Sequence, residues 1–290
     1  MNRDLTKGPV VRSMLLFAIP MILGDLLQQC YNIADTLIVG QFLGRNALAA
    51  VGSAFTLMTF LTSVILGLCM GSGALFSMRF GQRDDSSLRE SLCASFYCIA
   101  LITVLLNLIA FACLDGLRIF LRVPAEVWGD MRVYLFIVFL GIPAIFLYNF
   151  FASYLRAIGN SVIPLAFLAV SSVLNIVLDP VFIFLFDMGV AGAAVATVLS
   201  QLASCLYVLR VLFGKSVPIA ITFGGYDGRL MLRILAVGMT PFLIIGVDNI
   251  MIISMNAIIQ SYGGAELGDR LVTCATIAQS FMLVVTMPLG

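Results

Sequence analysis

Across 290 residues this chain is 61% hydrophobic and only 11% charged, with a mean hydropathy of +1.10, against roughly 45–50% and 25% in a soluble domain. A soluble fold cannot hide that much apolar surface, so the solvent is lipid and the expected fold class is all-α and polytopic. The net charge of +1 says nothing about nucleic acid, but the basic residues form no aromatic-interleaved patch, and the absence of histidine excludes His-ligated zinc or haem and a Ser/His/Asp triad.

Dividing the chain at its polar breaks predicts eight membrane-crossing runs, at 12–41, 46–78, 90–114, 130–156, 162–186, 189–213, 229–260 and 269–290. Each reaches the roughly 20 residues a helix needs to span the hydrocarbon core. The first run carries Pro20, Asp25, Gln28 and Asp35. It is too long for a signal peptide and is followed at once by further spans. A carboxylate at bilayer depth costs about 2.5–3.5 kcal/mol on insertion scales, so Asp35 reads as functional. Gln28 lies two helical turns before it on the same face and is expected to look into the same cavity.

The second run contains GLCMGSGA, whose small residues suit close helix packing rather than phosphate binding. The break Gly81-Gln82-Arg83-Asp84-Asp85-Ser86-Ser87 then turns the chain. Between the third and fourth runs, DGLRIFLRVPAEVWGDMR at 115–132 suggests a short interfacial helix anchored by Trp128. Gly159-Asn160-Ser161 opens the fifth run, where Asn175 and Asp179 sit four residues apart and share one helical face. The sixth run opens with GVAGAAVAT, and the segment 214–228, with five glycines and prolines, separates it from the last two. All seven cysteines fall inside apolar runs with no CxxC spacing, as small hydrophobic filler would. Asp248 of the seventh run, like Asp25, reads equally well as cavity lining or as an interfacial polar residue.

With a cytoplasmic N-terminus and alternating spans, eleven Lys and Arg residues fall inside and five outside, the positive-inside pattern. The seventh run (VGMTPFLIIGVDN) echoes the first (FAIPMILGDLLQQ), with Pro241 and Pro20 at corresponding points. A repeat restarting after six spans keeps its orientation and predicts two parallel six-helix bundles with a substrate cavity between them. The expected domains are a six-helix lobe at 1–213, an inter-lobe loop at 214–228, and the start of a truncated second lobe at 229–290, two helices long.

The strings QQCYNIADTLIVGQFLGRNALAAVG, ASYLRAIGNSVIPL and NIVLDPVFIF followed by MGVAGAAVAT resemble the multidrug and toxic compound extrusion (MATE) transporters, over essentially the whole chain. The resemblance implies twelve helices in two lobes, of which this chain supplies the first and about two helices of the second. It also implies a multi-pass plasma-membrane exporter, not an enzyme, that exchanges small organic cations for Na+ or H+ by alternating access and needs no cofactor. Its partners are those cations and membrane lipid. Carried over by position, the cation site comprises Asp35, Asn175, Asp179 and Thr197. Tyr134 corresponds to a helix-four tyrosine and Pro20 to a first-helix proline that permits a kink.

Two carboxylates, an amide oxygen and a hydroxyl form a hard-oxygen set that suits sodium and equally a proton. Mutual exclusion of drug and ion at such a site is enough for exchange when the occupied states favour different facing conformations. The alternatives are a flippase of lipid-linked saccharides from the same wider superfamily, which needs an arginine-lined cavity, or a non-transporting fragment. A membrane enzyme lacks a serine–base or metal constellation here, and a channel lacks a filter sequence.

Overall fold

The computed structural model describes residues 10–116, 125–213 and 228–286. Its elements are α1 (Val10–Phe42), α2 (Gly44–Gly81), α3 (Asp85–Ala112), α4 (Ala125–Ala157), α5 (Val162–Pro180) continued by a π-helical turn (Val181–Leu185), α6 (Gly189–Leu212) and α7 (Gly228–Thr286). The protein is an all-α polytopic membrane protein, and seven helices among the described residues are long and apolar enough to cross a bilayer. The chain divides into two compact units, Met1–Phe242 and Leu243–Gly290.

The first six expected runs each become one helix. The last two do not separate, because Gly228–Thr286 is one uninterrupted helix of 59 residues. The polar break expected there, Gly263 to Arg270, contains no proline. Glycine lowers helix propensity but keeps its N–H, so the hydrogen-bond ladder continues through it. Trp128 is also placed differently from the expectation. It sits in the first turns of α4, half-buried against the core, and is not in a separate interfacial helix. The stretch 117–124 and the expected inter-lobe loop, up to residue 227, lie outside the described residues. Arg132 pairs with Asp115 at 2.9 Å, both exposed, a pair that contributes little to stability.

Two turns are closed by their own chemistry. α2 ends with Asp84 N–H bonding the Arg79 carbonyl and Arg83 N–H bonding that of Phe80. This puts Arg83 at φ 57 in the left-handed region, the Schellman geometry. Gly159 (φ 81) closes α4 in the same way, and the Asn160 side chain then accepts from Ile163 N–H at 3.1 Å to start α5. Asp84 caps α3, accepting from Ser87 N–H at 3.1 Å and from the Ser86 hydroxyl at 2.8 Å.

α4 is the central helix of the first unit, packing on α2, α3 and α6, while α5 packs between α1 and α6. A cluster of rings, Phe76, Phe96, Phe146, Phe150, Phe151 and Tyr154, ties α2, α3 and α4 together, with edge-to-face pairs of the favoured geometry. The GLCMGSGA stretch provides close packing, as expected. A Cβ on Gly71 would lie 2.5 Å from Gly238 Cα of α7, and one on Gly67 would lie 2.6 Å from Phe242 N. Nearer the start of α7, Leu230 and Ile234 bury against Leu75 and Ala94. Gly192 of α6 does the same work against Phe182, whose carbonyl atoms lie 3.0 Å from a built Cβ.

Gly71→Val is therefore expected to destabilise the protein by about 1–3 kcal/mol, the usual cost of overpacking, seen as a lowered melting temperature in detergent. Gly52→Ala, with nothing within 4 Å of the added carbon, leaves it unchanged or slightly raised. The Asp84 carboxyl is held down to about 2, from 3.8, by hydrogen bonds from the hydroxyl and N–H of Ser87 and from Ser86. A depressed carboxylate stabilises above its ordinary value and loses that contribution as pH falls towards the folded value. The melting penalty of Asp84→Ala should then be full at neutral pH and shrink between pH 3.8 and about 2.

Candidate functional site

α5 presents Asn175 and Asp179 one turn apart, and both are buried, Asp179 completely. The Asn175 amide donates to Asp179 Oδ1 at 3.4 Å and across to Thr197 Oγ1 of α6 at 3.3 Å. The Thr197 hydroxyl donates to the Ala193 carbonyl at 3.0 Å, so its oxygen keeps its accepting side towards Asn175. Both amide hydrogens of Asn175 are thus committed, which fixes the orientation of its carbonyl oxygen.

α1 brings Asp35 to the same place. Its carboxyl and that of Asp179 lie within hydrogen-bonding range of each other. Tyr31, one turn before Asp35, and Tyr134 of α4 flank the pair closely enough to feel both charges. Tyr134 is 6% exposed, so the cluster is walled by α1, α4, α5 and α6. Three of the sequence-predicted residues therefore join one hydrogen-bonded cluster, Asn175, Asp179 and Thr197, with Asp35 against it and Tyr134 beside it. Gln28 and Pro20 do not join it. Gln28 is exposed two turns away, and α1 runs through Pro20 without a break. Asp25 is half-buried within electrostatic reach of Arg156, and Asp248 is exposed.

Tyr31 is the participant that motif reasoning missed. Its signal was present in the sequence: it stands four residues before Asp35, on the same helical face.

Asp35 Oδ1, Asp179 Oδ2 and Asn175 Oδ1 are buried acceptors that find no donor among the described residues. Two carboxyls this close in a low-dielectric interior repel unless a proton or a cation lies between them. Among the described residues no three of His, Cys, Asp and Glu come together to hold a metal. The donor set of two carboxyls, one amide oxygen and one hydroxyl accordingly suits a single monovalent charge better than a divalent or soft metal. The six described cysteines form no disulfide, and the side chain of Cys274 lies outside the described residues.

Pro180 directly follows Asp179, and the helix widens after it: Phe186 N–H reaches the Val181 carbonyl, five residues back, at 3.2 Å. Proline removes a backbone donor and crowds the preceding turn, so a local π-turn is its natural consequence. A tight turn then follows, with Asp187 at φ 51 and Gly189 at φ 54, and sends α6 back with Thr197 facing Asn175.

A family model described as MatE matches residues 20–181, which include Asp35, Asn175 and Asp179. The probable multidrug resistance protein YpnP of Bacillus subtilis (strain 168) is 36% identical over 219 residues, covering 75% of this chain and 49% of that protein. The multidrug export protein MepA of Staphylococcus aureus (strain bovine RF122 / ET3-1) is 28% identical over 243 residues, covering 82% of this chain and 53% of that protein. A crystal structure of MATE in complex with MaL6 superposes with a TM-score of 0.91 at 27% identity, covering 98% of this chain and 63% of the other. This chain thus spans about half the length of the curated relatives it matches. With more than half of its residues matched by the family model, and that fold repeated in the solved structures, the chain belongs to the MatE family of transporters.

Proposed function

We propose that this chain is the cation-coupling part of a multidrug exporter, which exchanges small organic cations for Na+ or H+ across the plasma membrane by alternating access. The observation that carries this reading is the convergence of Asp35 Oδ1, Asp179 Oδ2 and Asn175 Oδ1, all buried and without a donor among the described residues. A proton shared by the carboxyls neutralises the set, as does a sodium ion bridging them with Asn175 and Thr197. An organic cation reaching the same charge does so only when the ion has left. Exchange follows if the ion-filled and drug-filled states favour opposite-facing conformations.

The distribution of charge supports this reading over a saccharide flippase. The arginines of the sequence fall at the helix ends, whereas a site for a pyrophosphate-linked saccharide needs arginines lining the cavity to pair with its phosphates. The Lys and Arg bias of the sequence supports a cytoplasmic N-terminus. The names of the relatives, multidrug resistance and multidrug export proteins, support the substrate class.

The test is ethidium efflux from proteoliposomes with sodium and proton gradients imposed separately. Asp35→Asn and Asp179→Asn are each expected to lower gradient-driven efflux by at least about tenfold, equivalent to about 1.4 kcal/mol, without loss of folded protein on a sizing column. Efflux in both variants at the unmodified rate would mean that the carboxyls are structural. A second expectation concerns Asn175→Ala, which removes the donor shared by Asp179 and Thr197. It should weaken coupling-ion affinity about three- to tenfold, the scale of one or two hydrogen bonds, measured as a shift in the half-saturating ion concentration.

A further inference from the structure

Serine and threonine inside these helices usually turn back on their own backbone. Thr36, Ser72, Ser91, Thr197 and Ser200 each donate to a carbonyl four residues earlier. Ser172 does not. It is 3% exposed, and its Oγ is buried without a partner among the described residues. Ser172 lies on α5 one turn before Asn175 and two turns before Asp179, so all three share a face. Three successive turns of that face therefore each present one buried oxygen with no partner among the described residues: Ser172 Oγ, Asn175 Oδ1 and Asp179 Oδ2.

Asn175 cannot resolve this by rotating its amide, because both amide hydrogens are engaged by Asp179 and Thr197. Its oxygen is an acceptor lacking a donor, and the Ser172 hydroxyl is a donor lacking an acceptor. Residues three apart on a helix have Cβ atoms about 5–6 Å apart, yet no direct bond joins these two groups. One molecule hydrogen-bonded at about 2.8 Å to each spans that gap, and buried polar groups left in this way are where proteins hold internal water. The next turn towards the start of α5 is apolar and tight. Gly24 of α1 packs there against Leu165 and Leu168, whose methyl carbons lie 3.7 and 3.5 Å from a built Cβ. The polar file therefore ends at Ser172.

We propose that Ser172 and the Asn175 side-chain oxygen hold a buried water beyond the carboxyl pair, on the side nearer Val162. That water sits at the closed inner end of the polar file, where it lends a proton or a monovalent cation entering or leaving the carboxyl pair one further oxygen partner beside Asn175. The role in ion movement rests on the exporter reading above; the water itself does not. Among the described residues, the charges of Asp35 and Asp179 reach Tyr31 of α1 and Tyr134 of α4, so the file opens onto the carboxyl pair and its two tyrosines.

Two measurements on the whole chain in lipid bilayers test this. The first is water-edited solid-state NMR of 13C-serine-labelled protein, with the Ser172 signal identified by its loss in Ser172→Thr. Ser172 Cβ is expected to receive polarisation from water several times faster than Ser72, which is equally buried but bonded to the Leu68 carbonyl. Equal build-up for the two serines overturns the proposal, whatever the protein transports. The second is ion-driven ethidium efflux. Ser172→Ala should slow it about three- to tenfold, the loss of one hydrogen-bonded bridge, and Ser172→Thr, which keeps the hydroxyl, should restore most of the rate. Ser172→Ala at the full rate overturns the role in ion movement. Absence of ion-driven efflux in the unmodified protein overturns the exporter reading and with it that role, and leaves the water to be decided by the first measurement.

Discussion

Two carboxyl groups held face to face inside a membrane lobe are the constraint on which the rest of this structure depends. Asp179 has no exposure at all, and Asp35 meets it from a different helix. Hydrocarbon gives neither group anything to bond with, so the protein must supply partners or a neutralising charge. It supplies some: the Asn175 amide reaches Asp179, and the two carboxyls reach each other. It leaves three oxygens without donors among the described residues. A site stabilised only part-way by its own side chains leaves room for a neutralising positive species, which is the basis of the exchange proposed above.

The surrounding fold holds this arrangement in place. α5 is pressed between α1 and α6, so Asp35, Asp179 and Thr197 come from three helices that pack in one layer. The π-turn after Pro180 and the tight turn at Asp187–Gly189 set where α6 begins and hence which of its residues face Asn175. A hydrogen bond from Ser204 to the Phe167 carbonyl, 2.7 Å across the same pair of helices, fixes their register near the other end. α4 supplies the rigid back wall through its ring contacts with α2 and α3. Rigidity there and unfilled valence at the carboxyls are complementary: a polar cluster with unpartnered oxygens is surrounded by close packing.

Much of this was legible in the sequence. Apolar length marked six of the helices to within a few residues, because lipid imposes one simple rule on every span. The Asn175–Asp179 spacing announced a shared face, and the glycines of GLCMGSGA announced a close approach. What periodicity cannot see is pairing between helices. That Asp35 meets Asp179, and that Tyr31 joins them, depends on how α1 lies on α5. The same blindness explains the other differences. A glycine-rich polar stretch read as a break between two spans, yet without proline it stays helical in α7. Trp128 read as an interfacial anchor because its neighbours are charged, yet its ring packs on the core from the start of α4. Ser172 looked like any serine on a greasy helix, since only its three-dimensional surroundings show that its hydroxyl has no partner.

The central claim is that the carboxyl pair is one site neutralised by one positive charge at a time. The most direct measurement is proton release on cation binding, made with purified protein in weak buffer as sodium or ethidium is added. The expected result is that a bound cation displaces about one proton per chain, and that Asp179→Asn abolishes the release. Cations that bind without releasing protons, or a release unchanged by Asp179→Asn, would contradict the account.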